Sequence, residues 1–593
     1  RIALYYDTLS LLDITQSSVT AGDATVTTGI GDPGTLAFID RDDNNFMTNY
    51  GWEFQLGTHV YSNVTFYDSL IRLNRSVDLT VSNISIVGSA NFTCNSSIFN
   101  LNITASNNLE LNNLRIGDYG INSTYCGSVN LISQNKALTT GINFTIEVNN
   151  NISLDVGENI SLESAYLHTI NNLKKLAFVN VKNISMYNSK IWANLNLTTD
   201  YINIDVGSMI NATKKGYAND TGPGAFYVDN VGAGSAYGGQ GGSSGGSSYF
   251  NGGEPYGDAL HPTNYGSGGV NGVMIPTESA PGGYGGGLIY LNVGVSTILN
   301  GKILSDGTLG INSLLNQDAG GGSGGTIFIN TTSITGVGNM SSIGGAGGGT
   351  GGGSGSGGRI AIHYETLSSL DITDSTVSSG SSAGGLEGDP GTLGFYNRNE
   401  NYLTISEGWE FQNPSDYFVN ITLHPTMVRL NTSVNLTLDD IFIVSKANLS
   451  CYNYSVFDFN LTVVNTFDID NLNVGDHGTN TTNCNDVRFN LQNRPLTSIE
   501  NLTVEVWGNI TLDVGENVTL KSSFLHNLFW EKKVDFVNMY NLTLESNSAI
   551  WGNLNLTTDY LNIDVNSKIN ATGKGFPQAQ GPGRGINCTL FFT

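Results

Sequence analysis

The sequence predicts an all-β chain: a parallel β-helix (β-solenoid) with glycine-rich loops, drawn out into elongated tandem repeats. Three observations carry that expectation. Arg1 falls on Arg359 when the chain is laid on itself, and the match continues at nearly constant offset. Apolar residues alternate with Asn, Ser and Thr at a period of two, the side-chain period of a strand. Glycine supplies 75 of 593 residues while charged residues are only 13%, a palette poor in helix formers.

The duplication is explicit. GDPGTLAF (Gly31 to Phe38) matches GDPGTLGF (Gly388 to Phe395), and GWEFQ occurs at Gly51 and again at Gly408. LDVGENISL from Leu154 matches LDVGENVTL from Leu512, and NLNLTTDYINIDV from Asn194 matches NLNLTTDYLNIDV from Asn553. Residues 1–358 therefore form a first full repeat and 359–593 a second, incomplete one. The reading expects a chain cut from a longer array, with any export signal or membrane anchor outside it. GINCTLFFT, from Gly585, matches nothing in the first copy.

Each repeat has two textures. Residues 1–215 are Asn-rich and alternate in short runs such as VDLTVSNISIVGS (Val77 to Ser89), punctuated by turn residues. No clear hairpin pairs stand out, and similar beats recur at roughly 20 to 25 residues, as coils of a solenoid do. Residues 216–358 hold more than half of the glycine and repeat a module: GGLIYLNVGVSTILNGKILSDG from Gly286, GGTIFINTTSITGVGNMSSIGG from Gly324, and GGRIAIHYETLSSLDITDSTVSSG from Gly357. Each module reads as one rung, with polyglycine thrown out between rungs. Two accounts of that polyglycine stand open: flexible linker, or extended glycine helices that pack closely because they lack a side chain.

INATKKGY, YGGQGG, PGGYGGG, GGGSGGTIFI and GGGSGSGGRIAIHY resemble the glycine-rich tandem repeats of very large adhesin-like surface proteins of archaea and bacteria. The resemblance covers residues 204–373 and 563–582. It implies a right-handed parallel β-helix, a cell-surface location and a structural or adhesive role, and no chemistry.

Net charge of -25 argues against a nucleic-acid partner, which demands clustered Lys and Arg. No apolar run reaches the ~20 residues of a membrane span. Asn-X-Ser/Thr sequons lie at Asn63, Asn74, Asn83, Asn91, Asn95, Asn102, Asn122, Asn143, Asn151, Asn159, Asn183, Asn196, Asn211, Asn219, Asn330 and Asn339. In the second copy they lie at Asn420, Asn431, Asn435, Asn448, Asn453, Asn460, Asn480, Asn501, Asn509, Asn517, Asn541, Asn555, Asn570 and Asn587. Several recur at matched places, as glycan attachment would select and as simple duplication would also leave; Asn ladders along a solenoid account for others. Glycosylated asparagines are expected to point outward.

Cys94 matches Cys451 and Cys126 matches Cys484, so each copy carries a pair expected to staple adjacent rungs as a disulfide; Cys588 has no matching cysteine. DRDDNN, with Asp40, Asp42 and Asp43, is a Ca²⁺ candidate by its alternating oxygens, weighed against a solvated turn, since the matched segment at Asn397 is less charged. LDVGEN, with Asp155 and Glu158 or Asp513 and Glu516, reads as a rung turn. Trp52 and Trp409 read as aromatics capping the core rather than sugar-stacking faces, and His168 and His526 as packed or turn residues.

The function expected is a structural, non-enzymatic extracellular fibre or cell-surface stalk, heavily N-glycosylated and without a cofactor. It extends either by end-to-end self-association or within one giant chain. Two rivals remain: a carbohydrate-binding adhesin using Trp52 or the tyrosines near Tyr237 and Tyr249, and a β-helix polysaccharide lyase or hydrolase.

Overall fold

The computed structural model describes residues 1–8, 14–19, 34–119, 124–135, 139–225, 232–245, 251–272, 280–312, 318–413, 418–452, 456–478, 481–492 and 498–576. Asn122, Asn453, Asn480 and Asn587 lie outside these residues, as do Tyr249 and Cys588. The described residues form 44 β-strands and no α-helix. Forty strands join one long, mostly parallel sheet, and four form a second.

Alternation in sequence becomes alternation in burial. In Ile152–Asp155 and Asn159–Glu163 the Ile and Leu side chains are buried, and the Ser, Asn and acidic residues between them are partly exposed. Parallel pairing then lays like residue upon like. Asn159 to Glu163 pair with Asn183 to Tyr187, and the matched Asn517 to Lys521 pair with Asn541 to Glu545, so the duplication extends to register. One aliphatic row runs Leu195, Ile289, Ile327, Ile360, Leu393, every member essentially inaccessible to solvent. At about 1.5–3 kcal/mol per buried aliphatic side chain, such rows are the main favourable contribution of the sheet. This row also crosses from the first copy into the second without a break.

Two expectations about the path of the chain need correction. Each copy does contain a hairpin: Leu36–Asp40 pairs antiparallel with Asn45–Phe54, and Thr392–Asn397 with Tyr402–Phe411. Its turn is made by one carboxylate or amide. Asp40 Oδ1 accepts the backbone N–H groups of Asp42 and Asp43 at 3.1 and 3.2 Å, and Asn397 Oδ1 those of Asn399 and Glu400 at 3.0 and 3.3 Å. Asn44 and Asn401 then take positive φ, a conformation asparagine tolerates better than most residues.

The polyglycine is not thrown out into solvent. Residues 232–245, 266–270 and 351–364 are buried throughout. Their backbone groups bond to one another with a period of three. Gly320 and Ser323 donate to Val270 and Ser267; Gly321 and Gly324 donate to Gly353 and Ser356; Gly322 and Gly325 donate to Thr308 and Ser305, all at 2.7–3.0 Å. A tract that addresses three neighbours in rotation has three residues per turn, the symmetry of an extended polyproline-type helix. A strand, with two, reaches only the neighbours in its own plane.

The neighbours come too close for a side chain. A Cβ on Gly321 would sit 2.0 Å from Gly345 O, and one on Gly232 would sit 1.7 Å from Asp318 O. Glycine's entropic cost is thus met by backbone hydrogen bonds that only glycine permits. Gly321→Ala should lower stability by ~1–3 kcal/mol, the cost of forcing extra volume into a packed interior. Gly575→Ala is the control, because nothing lies within 4 Å of the Cβ it would add. Thermal melts of the two variants check this, with little change expected for Gly575→Ala.

Candidate functional site: duplicated polar clusters and asparagine ladders

Chemistry-bearing side chains gather in three places, and two of them occur in both copies. The first lies on the strands Thr145–Val148, Tyr166–Thr169 and Lys190–Trp192, where parallel register sets Glu147 beside His168 and His168 beside Trp192. His168 Nδ1 is 3.3 Å from Glu147 Oε1, and its ring stacks on Trp192 at 4.9 Å. Lys215, buried, places Nζ 3.4 Å from His168 Nε2, 3.0 Å from Ile170 O and against Thr169 O.

A neutral imidazole satisfies every contact: Nδ1–H donates to the carboxylate and Nε2 accepts from the ammonium. Burial pushes the His168 pKa down to about 4, with the Lys215 charge adding to the effect. Burial also lowers Lys215 to about 8, and raises Glu147. The twin in the second copy is Glu505, His526, Trp551 and Lys574, with His526 Nδ1 3.0 Å from Glu505 and its ring 4.9 Å from Trp551. Lys574 Nζ donates to Asn527 O. Both ammonium groups therefore close off carbonyls at a strand end, and both histidines are packed, as the sequence suggested. Only the LH dipeptides hinted at this cluster; the lysines, 47 residues after His168 and 48 after His526, carried no visible signal.

The second place is the junction between the glycine-rich segment and the second copy. Arg359 is fully buried, paired to Glu410 at 2.7 Å, and it donates to Tyr256 O and Tyr237 O with its guanidinium 5.4 Å from the Tyr237 ring centre. Arg429 pairs with Asp389 at 3.1 Å and donates to Gly238 O. Tyr237 is wholly buried, its hydroxyl against Thr326, and so it offers no face to a ligand. Trp409 is buried and Trp52 packs edge-on against Phe46, which fits a role at the core.

The third is a set of asparagine ladders. Asn83 donates to Asn63 and Asn63 to Asn45, each at 2.7 Å; Asn460 donates to Asn435, Asn473 to Asn448, Asn501 to Asn471 and Asn330 to Asn292 at 2.6–3.1 Å. Asn183 and Asn541 do the same to Asn159 and Asn517. In-register stacking brings amide to amide at the strand spacing, so many sequon asparagines have a structural partner. None of the 26 described sequon asparagines is buried, and Asn196, Asn339 and Asn555 are exposed and outside these ladders.

Cys94–Cys126 and Cys451–Cys484 are disulfides, joining chain segments 32 and 33 residues apart. Asp155 accepts from Asn180, and Asp513 from Asn538, across neighbouring turns of the chain, while Glu158 pairs with Lys182 at 2.8 Å. Beside Asp513 and Glu516 lies a groove of about 650 Å³ that also includes Gln492, Asn538 and Tyr540. Among the described residues no group of three His, Cys, Asp or Glu is placed to hold a metal ion; Asp40 is engaged in its turn, and Arg41 beside it pairs with Asp7 at 2.8 Å. No helix among these residues is long and apolar enough to cross a membrane. No protein-family model, curated protein or solved structure matches the chain.

His168 makes one contribution to the pH dependence, opposed by the burial-raised carboxyls of Glu147, Asp306 and Asp468. The folded His168 pKa of about 4 lies below the ordinary 6.5, so the unfolded chain binds more protons as pH falls. The stabilising contribution is complete above pH 6.5 and is lost as pH falls toward 4. His363, lowered to about 4 mainly by burial, adds to the same loss. Melting midpoints measured from pH 7 to 4 should fall, and His168→Gln should flatten part of that fall.

Proposed function

We propose that the chain is a structural element of an extracellular fibre or cell-surface stalk, built of tandem β-solenoid repeats and N-glycosylated. One observation carries this reading: in-register parallel pairing runs through the boundary between copies, Thr326 to Asn330 on Arg359 to His363 and these on Thr392 to Tyr396. A stack that continues through its own repeat boundary lengthens without creating new edges. The two disulfides suit an oxidising exterior. Glycans belong first on Asn196, Asn339 and Asn555, where no neighbouring amide competes.

A carbohydrate-binding adhesin is the second reading, and the groove at Asp513, Glu516, Asn538 and Tyr540 favours it over a site at Tyr237. It is compatible with a fibre that carries the groove.

Twelve strand-to-strand steps lead from Ile2 to Ile360 through the pairings. At about 4.8 Å per step, one repeat advances ~60 Å. Electron imaging of the native material should show filaments with that axial period, and glycopeptide mass spectrometry should find sugar on Asn196, Asn339 and Asn555. Compact single particles, or unmodified asparagines at all three positions, would count against the proposal.

A further inference from the structure

The junction that buries Arg359 has a counterpart at the start of the first copy. Arg1 lies 2.6 Å from Glu53, as Arg359 lies 2.7 Å from Glu410. Gln55 stands where Gln412 stands, Arg72 where Arg429 stands, and Ile2 where Ile360 stands. The two faces differ in what covers them. Arg1 is 68% exposed and Ile2 48%, whereas Arg359 and Ile360 are 0% exposed. Among the described residues strand Ile2–Tyr6 pairs on one side, with Leu36–Asp40, whereas strand Arg359–Tyr364 pairs on both, with Thr326–Thr335 and Thr392–Asn397.

The cover over the second face is known residue by residue. Tyr256 and Tyr237 carbonyls accept from Arg359, Gln412 donates to Gly257 O at 2.7 Å, and His363 Nε2 lies 2.9 Å from Leu260 O. Ala259 joins the hydrophobic cluster of Trp409 and Phe411, with Leu260 against it. Over the first face the same place is a groove of about 500 Å³, lined by Arg1, Ile2, Tyr5, Trp52, Glu53 and Gln55 among others. It presents an arginine, a glutamine and apolar rings in the arrangement that receives residues 256–260 in the second copy.

We propose that this groove and strand edge are the seat for the glycine-rich segment of another repeat of this same sequence, residues equivalent to 256–260 in the groove and 326–330 on the edge. The proposal rests on the tandem reading above and names its joint. Backbone carbonyls of the segment are the hydrogen-bonding ligands, met by the guanidinium and the amide, and the side chains equivalent to Ala259 and Leu260 supply the apolar contact. Several positions differ between the faces: Tyr5 replaces His363, Ile39 replaces Tyr396, Leu56 replaces Asn413, Tyr61 replaces Phe418, and Asn95 replaces Tyr452, which bonds Gln240 in the second copy. The Arg, Glu and Gln set is unchanged.

The test is to place a second copy of residues 216–358 directly before Arg1 of the full chain. The Gly358–Arg359 connection is thereby reproduced at Arg1. Amide hydrogen exchange of Ile2 to Tyr6 should slow at least tenfold on extension. Arg1→Ala should lower the melting midpoint of the extended chain while leaving that of the original chain unchanged. Exchange at Ile2 to Tyr6 that stays as fast as in the original chain would overturn the proposal. So would added glycine tracts that remain unprotected while residues 318–325 and 351–358 of the original segment are protected. Filament imaging is independent of this outcome: protected extension without a ~60 Å axial period would remove the fibre and keep the joint.

Discussion

Everything in this chain depends on backbones approaching closely enough to bond directly to one another. In the Asn-rich part that approach is the ordinary one between parallel strands, with apolar rows such as Leu195, Ile289, Ile327, Ile360 and Leu393 filling the space between. In the glycine-rich part no side chain intervenes. Tracts bond to three neighbours in rotation, and a methyl group at Gly357 would fall 1.6 Å from Val377 O. The first part is held mainly by the hydrophobic effect. The second is held by hydrogen bonds, individually modest in net terms but costly to leave unmade once buried.

Buried charge appears where these two materials meet. Excess carbonyls at the rim of the glycine bundle need donors, and Arg359 supplies several while Glu410 balances its charge. Lys215 and Lys574 meet the same need at strand ends. Breaking such a pair by removing one partner leaves an uncompensated buried charge, whereas replacing both by apolar groups does not. The ion pairs are therefore better understood as fixing which tract sits where than as a source of stability.

Much of this was legible in the residues. Duplication was visible from GWEFQ and LDVGEN alone, and period-two alternation marked Ile152–Asp155 and its neighbours as strands. Cys94 and Cys126 pair as their matched spacing implied. What was hidden is non-local. DRDDNN read chiefly as a turn, but that the turn closes a hairpin depends on the pairing of Leu36–Asp40 with Asn45–Phe54, which its local Asp40 bonds do not announce. The close-packed account of the polyglycine was one of two open readings, because sequence shows where glycine is but not which carbonyl it faces. Tyr237 resembled a loop aromatic and is buried, since the tract that carries it is itself the core of the bundle. The sequence names both glycan sites and ladders for its sequon asparagines, but which asparagine meets which depends on register, which sequence does not display.

The claim most exposed to contradiction is that the glycine tracts are ordered by backbone hydrogen bonds. Hydrogen exchange followed by mass spectrometry on peptides covering residues 318–326 and 351–359 tests it directly. The account predicts protection equal to that of the strand Thr326–Thr335, with both lost together in denaturant. Exchange at the rate of an unstructured chain, beside a protected strand, would mean that the tracts are linkers and would contradict it.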